Sequence, residues 1–291
     1  MSTGKEIRFK IKSVQNTQKI TKAMQMVAAS KMRKTQKKMQ SARPYAENIR
    51  RLMFNLAHMN GYTKNSVNFL RVPVETNSVG IVLITTDKGL CGGLNTNTIK
   101  VFYQKTQELL KEDVKIKVCL IGSKGLSAAS KLNLDISGAT IGLGDNPSMD
   151  KLVGPISDLL NKFCNGELDA VYVIYAKFIN TMKQQAICEQ LLPINQSTFN
   201  VKPSNISTDY IYEPDFAIVL NELARRYLES VVYQCVSDNM ASEQAARMVA
   251  MKSATDNAKN AITRLKLIYN KSRQAAITKE LAEIVAGSAA V

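Results

Sequence analysis

The residues best placed to do chemistry lie in TTDKGLCGGLN (85–95), which follows an apolar, β-branched run and precedes a helical pattern. A glycine-rich loop between a strand and a helix is where backbone N–H groups would cradle a phosphate. The residue order argues against that chemistry. Lys88 comes before the glycines, whereas the Walker loop, G-x-x-x-x-G-K-[ST], carries its lysine after them. IGSKG (121–125) also follows an apolar run but holds only a G-x-x-G, a weak signal. Cys91 would need an activating base to act as a nucleophile, and the single histidine, His58, lies in another segment. One histidine cannot build a metal site alone. The five cysteines, Cys91, Cys119, Cys164, Cys188 and Cys235, are widely spaced and contain no CxxC pair, which suits reduced thiols. No catalytic residue, no cofactor site and no metal site is expected.

The elements that would carry this loop are set by where glycine and proline fall. Gly4 is followed by no glycine until Gly61, and after Pro214 neither glycine nor proline appears until Gly287. Both residues are strong helix breakers. The 72 residues free of both, rich in Ala, Leu, Met, Lys, Arg and Glu, therefore predict one very long helix. At a rise of about 1.5 Å per residue that helix reaches roughly 108 Å, and residues 5–60 reach roughly 84 Å. A compact domain of this chain length has a radius of gyration of only about 19 Å, so a rod with a head is expected.

A rod needs an apolar seam, and three- and four-residue steps supply candidates on both segments. They are Ile7, Ile11 and Val14, then Ile20, Met24 and Val27 in a shifted frame; Leu220, Leu223, Tyr227, Val231 and Cys235; and Ile277, Leu281 and Ile284. A single coiled coil shared by both ends accommodates them, although packing against an ordinary core fits the periodicity equally. Pro44 removes an amide donor and crowds the preceding turn, so a kink or break is expected near Arg43.

The middle reads as α/β. Apolar runs at 78–86, 115–123 and 169–178 suit strands covered on both faces, as in a parallel sheet, and 185–194 offers a further strand. Helical patterns at 96–112, 125–132 and 153–164 alternate with them. The expected fold is α/β plus a long antiparallel coiled coil: terminal helices at 1–60 (broken near 44) and 210–291 forming a shaft, and a central Rossmann-like domain at 61–209 with a mostly parallel sheet.

Charge is uneven. Residues 1–55 hold 14 of the 39 Lys and Arg against only Glu6 and Glu47, giving +12 of the chain's +15. Such a helix calls for an acidic partner. Nucleic acid would bring interleaved aromatics or a known motif, and before Tyr45 there is only Phe9. Lipid would bring a broad Leu, Phe or Trp face, and the chain has no Trp. No run of 18 apolar residues exists, and no apolar stretch follows the basic N-terminus, so neither a membrane span nor a signal peptide is expected. Charge alone leaves open a basic coiled-coil nucleic-acid-binding or scaffold protein.

Three segments, IKSVQNTQKITKAMQMVAASKMRK (11–34), DKGLCGGLN (87–95) and SEQAARMVAMKSATDNAKNAITRLKLIYNKSRQAAITKELAEIVAGSAA (242–290), together closely resemble the gamma subunit of F-type ATP synthases, end to end and in order. Gly287 is followed by Ser288 where that family has a Gly-Ala pair. No insertion carries the cysteine pair of chloroplast relatives, so thiol switching is not expected.

The resemblance implies a non-catalytic central rotor. Its terminal helices would stand in the cavity of a hexamer of alpha and beta subunits. Its α/β domain would be a foot resting with epsilon on the membrane c-ring, so that ion flow turns the shaft and drives the beta subunits through their nucleotide states. Membrane association would be indirect, at the cytoplasmic face of a bacterial inner membrane, with no nucleic acid bound. Carried over by motif, Lys19, Lys22, Met24 and Lys31 match the region that touches an acidic beta loop. Lys88 and Cys91 match a short loop and helix beside it, and Arg247, Gln274, Thr278 and Glu280 match an upper-shaft catch. Lys22 and Lys31 are both expected to be exposed.

Overall fold

The computed structural model describes residues 4–58, 71, 73, 75–144, 147, 149–194, 213 and 215–289. Helix α1 covers Gly4–His58 and helix α5 covers Phe216–Ala289, matching the two glycine-free stretches; α5 runs on through Gly287. The expected boundaries at 60 and 209 lie outside the described residues. Packing divides the chain into two compact units, one made of Met1–Ala29 with Arg247–Val291, the other of Ser30–Ala246.

In the second unit the elements run β1 (Ser78–Ile84), α2 (Leu94–Lys111), β2 (Lys115–Ile121), α3 (Ser123–Ser130), β3 (Asp135–Thr140), α4 (Met149–Cys164), β4 (Ala170–Phe178) and β5 (Gln184–Leu192). The sheet order is β3-β2-β1-β4-β5, parallel except for β5, which pairs antiparallel with β4. The central strand β1 is apolar and buried past Ser78 because both its faces are covered. Val79, Ile81 and Leu83 meet Phe102 and Leu109 of α2, while Val82 and Ile84 join the opposite core with α4, Ile49 and α5. Edge strand β3 escapes the sequence pattern because its residues, DISGAT, are half-buried or exposed and carry no apolar run.

The repeat Leu220, Leu223, Tyr227, Val231 and Cys235, a coiled-coil seam by its spacing, belongs instead to that second core layer, where Leu220, Ala224, Tyr227, Leu228 and Val232 face α4 and the sheet residues. Helical periodicity states that a face is buried and not against what. The break expected near Arg43 is also absent: α1 continues through Pro44. Pro44 and Gln40 are exposed, so the carbonyl of Gln40 that loses its proline partner can be solvated.

In the first unit the two helix ends pair antiparallel. Thr21 and Thr255 hydroxyls meet at 2.8 Å, and the Arg8 guanidinium lies 5.6 Å from the Tyr269 ring centre. The half-buried and buried positions of α1 include Gly4, Ile7, Ile11, Val14, Gln18, Thr21, Gln25 and Ala28, stepping three and four, with Gln15, Met24 and Ala29 half-buried on the flanks of that line. Those of α5 include Met251, Thr255, Ala258, Ile262, Leu265, Tyr269 and Ser272 in the same rhythm. This is a heptad seam, but one that passes through Gln18, Thr21 and Gln25, so the expected frame shift does not occur. Ile20 (60 %) and Val27 (55 %), assigned to the seam by sequence, are exposed. Residues 273–286 of α5 lie past the start of α1 and are exposed, Ile277, Leu281 and Ile284 among them.

Candidate functional site

The loop that attracted chemical suspicion sits at the carboxyl end of β1. Strand order reverses between β1 and β4, and the crevice at such a switch point is where doubly wound sheets bind ligands. Here α5 fills it. Asn239 lies across the ends of both strands, and Ala246 packs with Cys91, Leu94 and Ala176.

The second suspected phosphate site, the start of α3, is also occupied. A helix N-terminus leaves its first N–H groups without partners, and Gly122 offers no side chain to cap them. Residues 85–87, just past the end of β1, do so. Ser123 N–H donates to Asp87 Oδ1 at 3.1 Å, Lys124 N–H to the Thr86 carbonyl at 3.2 Å, and Gly125 N–H to Thr85 Oγ1 at 2.9 Å. Asp87 Oδ2 also accepts from Gly142 N–H at 3.1 Å. Asn95, at the start of α2, accepts from Thr86 N–H and donates to Thr86 Oγ1 and Cys91 Sγ. The loop is thus a hydrogen-bonded hub for β1, α2, α3 and the segment after β3. It presents Lys88 and Leu90 outward, Leu90 being 62 % exposed with φ +63°. That left-handed conformation costs a non-glycine residue on the order of 1 kcal/mol or more, and strain of this kind clusters at functional positions.

Cys91 itself is buried, so the structure puts it behind the loop surface and not on it. The other thiols are subdued: burial raises Cys119 to about 12 and pushes Cys164, Cys188 and Cys235 upward. One constellation that sequence reasoning passed over looks like a nucleophile with a base. Lys162 Nζ lies 3.2 Å from Ser137 Oγ and 2.6 Å from Asp158. The hydrogen bond to Asp158 raises the Lys162 ammonium above its ordinary value, so it stays charged and takes no proton from the serine. Its role is to tie edge strand β3 to α4. Among the described residues no group of His, Cys, Asp and Glu could hold a metal, and no helix is long and apolar enough to cross a membrane.

On α1 of the first unit, Lys19 and Lys22 are exposed beside exposed Ile20, Met26 and Val27, while Met24 is half-buried. The surface here mixes cations with apolar side chains. Lys31 lies in the other unit and is half-buried, contrary to the exposure expected of it. Arg247 is half-buried; Gln274, Thr278 and Glu280 are exposed, with the Thr278 hydroxyl donating to the Gln274 carbonyl at 2.9 Å. Sequence reasoning missed Asp87, Asn95, Leu90 and Asn239. The first three stand in or beside the DKGLCGGLN motif, and no local signal marks Asn239.

The fold defines the class, a doubly wound α/β unit carried on the same chain as two long terminal helices whose ends pair antiparallel. The chain belongs to the ATP synthase family, whose model matches residues 3–291. It is 55% identical to the ATP synthase gamma chains of Chromobacterium violaceum and Laribacter hongkongensis, each over 291 residues and the full length of both chains. It is similar in structure to a chain of the Tetrahymena thermophila mitochondrial ATP synthase central stalk and c-ring, with TM-score 0.59 and 26% identity over 81% of this chain and 99% of that one. A chain from the Euglena gracilis mitochondrial ATP synthase shares the fold at TM-score 0.69 and 21% identity, covering 99% of this chain and 95% of that one.

Proposed function

We infer that this chain is the central rotor shaft of an F-type ATP synthase, transmitting rotation of a membrane c-ring to a catalytic alpha/beta hexamer. The observation that carries this is the antiparallel pairing of the two chain ends, Thr21 against Thr255 and Arg8 against Tyr269, in a chain matched by the family over residues 3–291. Residues 1–60 and 210–291 carry the shaft, its 220–236 stretch seated on the sheet, and 61–209 form the foot, which meets epsilon and the c-ring. The chain has no chemistry of its own and acts by presenting different faces to successive beta subunits. It works peripherally, at the cytoplasmic face of a bacterial inner membrane.

Lys19 and Lys22 meet acidic loops of the hexamer, with Met24 seated in the seam behind them. Exposed ion pairs contribute about 0–1 kcal/mol each, weak enough to be exchanged at every rotational step. Lys88 is a second contact, and Cys91 supports it from within. Gln274, Thr278 and Glu280 form a catch nearer the end of α5, and Arg247, roughly 40 Å back along the same helix, makes a separate contact.

The test mixes the purified chain with an alpha/beta hexamer and, separately, with duplex DNA at physiological salt. Stable assembly with the hexamer is expected; failure to assemble, alongside sequence-independent DNA binding with a steep salt slope, would overturn the rotor assignment in favour of a basic scaffold. Within the assembled enzyme, Lys19→Glu with Lys22→Glu should lower ATP-driven ion pumping, with a folding change within about 0.5 kcal/mol because both sites are exposed. Unchanged pumping in that double variant would count against the role of the basic face.

A further inference from the structure

The parallel ladder between β1 and β4 ends at Leu83 opposite Ile174, yet β4 continues to Phe178, paired on its other side with β5. Past Ile174, N–H groups of β4 that point toward β1 have no strand to meet. Extending the register would put Thr85 opposite Ala176, and there α5 intervenes. Asn239 Oδ1 accepts from the Ala176 N–H at 3.2 Å, and its Nδ2 donates to the Thr85 carbonyl at a longer 3.5 Å. A side-chain amide carries the same donor and acceptor as a peptide group. Asn239 therefore stands in for the missing peptide of β1 and stitches a helix into the sheet. It is 2 % exposed, and a buried amide is costly unless its hydrogen bonds are made.

The neighbouring contact is apolar and small: Ala246 packs on Ala176 and Cys91. Apolar burial is non-directional. It holds α5 on the sheet without fixing its rotation about its own axis or its position along it. Directed hydrogen bonds from one side chain to two strands do fix both. Thr85 is itself bonded to Ile121 N-terminal to α3 and to Gly125 within it, so the stitch reaches the whole hub.

We propose that Asn239 is a positioning residue for rotary coupling, the key that locks α5 against the sheet so that torque entering the α/β unit passes into the helix instead of being lost as slip. This rests on the rotor function above. In the full enzyme, Asn239→Ala removes both bonds and Asn239→Asp, nearly isosteric, keeps the acceptor for Ala176. The expected result for Asn239→Ala is retained assembly and ATP hydrolysis with loss of ion pumping against a load, partly restored in Asn239→Asp. Amide exchange at Ala176 should quicken by roughly tenfold or more in Asn239→Ala, the effect of losing one buried hydrogen bond. If Asn239→Ala does not assemble, Asn239→Asp carries the same measurement, and undiminished loaded pumping there, with its Thr85 bond lost, overturns the proposal. So does undiminished loaded pumping in assembled Asn239→Ala. A wild-type chain that fails to couple in the same assay would sink the rotor function instead, so the two failures are told apart.

Discussion

Gly122 shows how closely the hub around residues 85–87 is built. Its φ is +93°, and a Cβ there would lie 2.3 Å from the Thr85 carbonyl oxygen. Gly122→Ala should cost about 3 kcal/mol or more, since both the left-handed backbone and the contact with a fixed carbonyl penalise it; a thermal midpoint close to that of the wild type would refute this. Cys119, on β2, is fully buried. Burial raises its thiol from 9.0 to about 12, so folding favours the neutral form. Its contribution to stability is complete below pH 9.0 and is lost as pH rises from there toward about 12. Because the thiolate is the reactive species, alkylation at neutral pH should leave Cys119 unmodified until the protein unfolds, which mass spectrometry would read directly. Lys88 before the glycines speaks against a Walker loop; in the structure Ala246 of α5 packs against that loop at Cys91 and Leu94, and Thr85, Thr86 and Asp87 cap the separate start of α3, a contact between segments about 36 residues apart in sequence.

At the scale of elements, α1 illustrates what a register is worth. Val27 and Ala28 are neighbours in sequence, yet Val27 is 55 % exposed and Ala28 1 %. Apolarity alone selects the valine for the seam. Geometry selects the alanine, because a small residue lets the two helices approach while the larger one faces outward. Ala28→Leu should therefore destabilise the paired ends by about 1–3 kcal/mol through overpacking, whereas Val27→Ala should stay within about 0.5 kcal/mol. Thermal unfolding of the two variants compared side by side would show the opposite order if the seam ran through residue 27. The helices themselves were legible to within a few residues because glycine and proline are so unevenly placed; Pro44 was the exception, since one proline at an exposed turn bends hydrogen bonding without ending the helix.

For the whole molecule, the dominant physical property is the concentration of +12 within residues 1–55. Long-range attraction to an acidic partner is screened over about 8–10 Å at moderate ionic strength. On the rotor function proposed above, the rate of assembly with an alpha/beta hexamer should fall as salt rises from about 50 to about 300 mM, while the rate of dissociation changes less. Stopped-flow association at several salt concentrations tests this, and a rate independent of salt would remove steering from the account. The exposed apolar side chains of α5 beyond residue 272, among them Ile277, Leu281 and Ile284, fit a surface that is covered only in assembly.

By itself the sequence determined the two long helices, three of the four parallel strands with the alternating helices, the closing strand β5, the basic end and the family. These are local or compositional properties: breaker placement, apolar runs, charge and ordered motifs. Tertiary structure alone decided that 220–236 packs on a sheet, that the seam passes through Thr21 and Ala28, that Cys91 is inside, and that Asn239 completes β1. Each of those depends on which partner a face meets, and periodicity carries the direction of a side chain but never the identity of what lies opposite it.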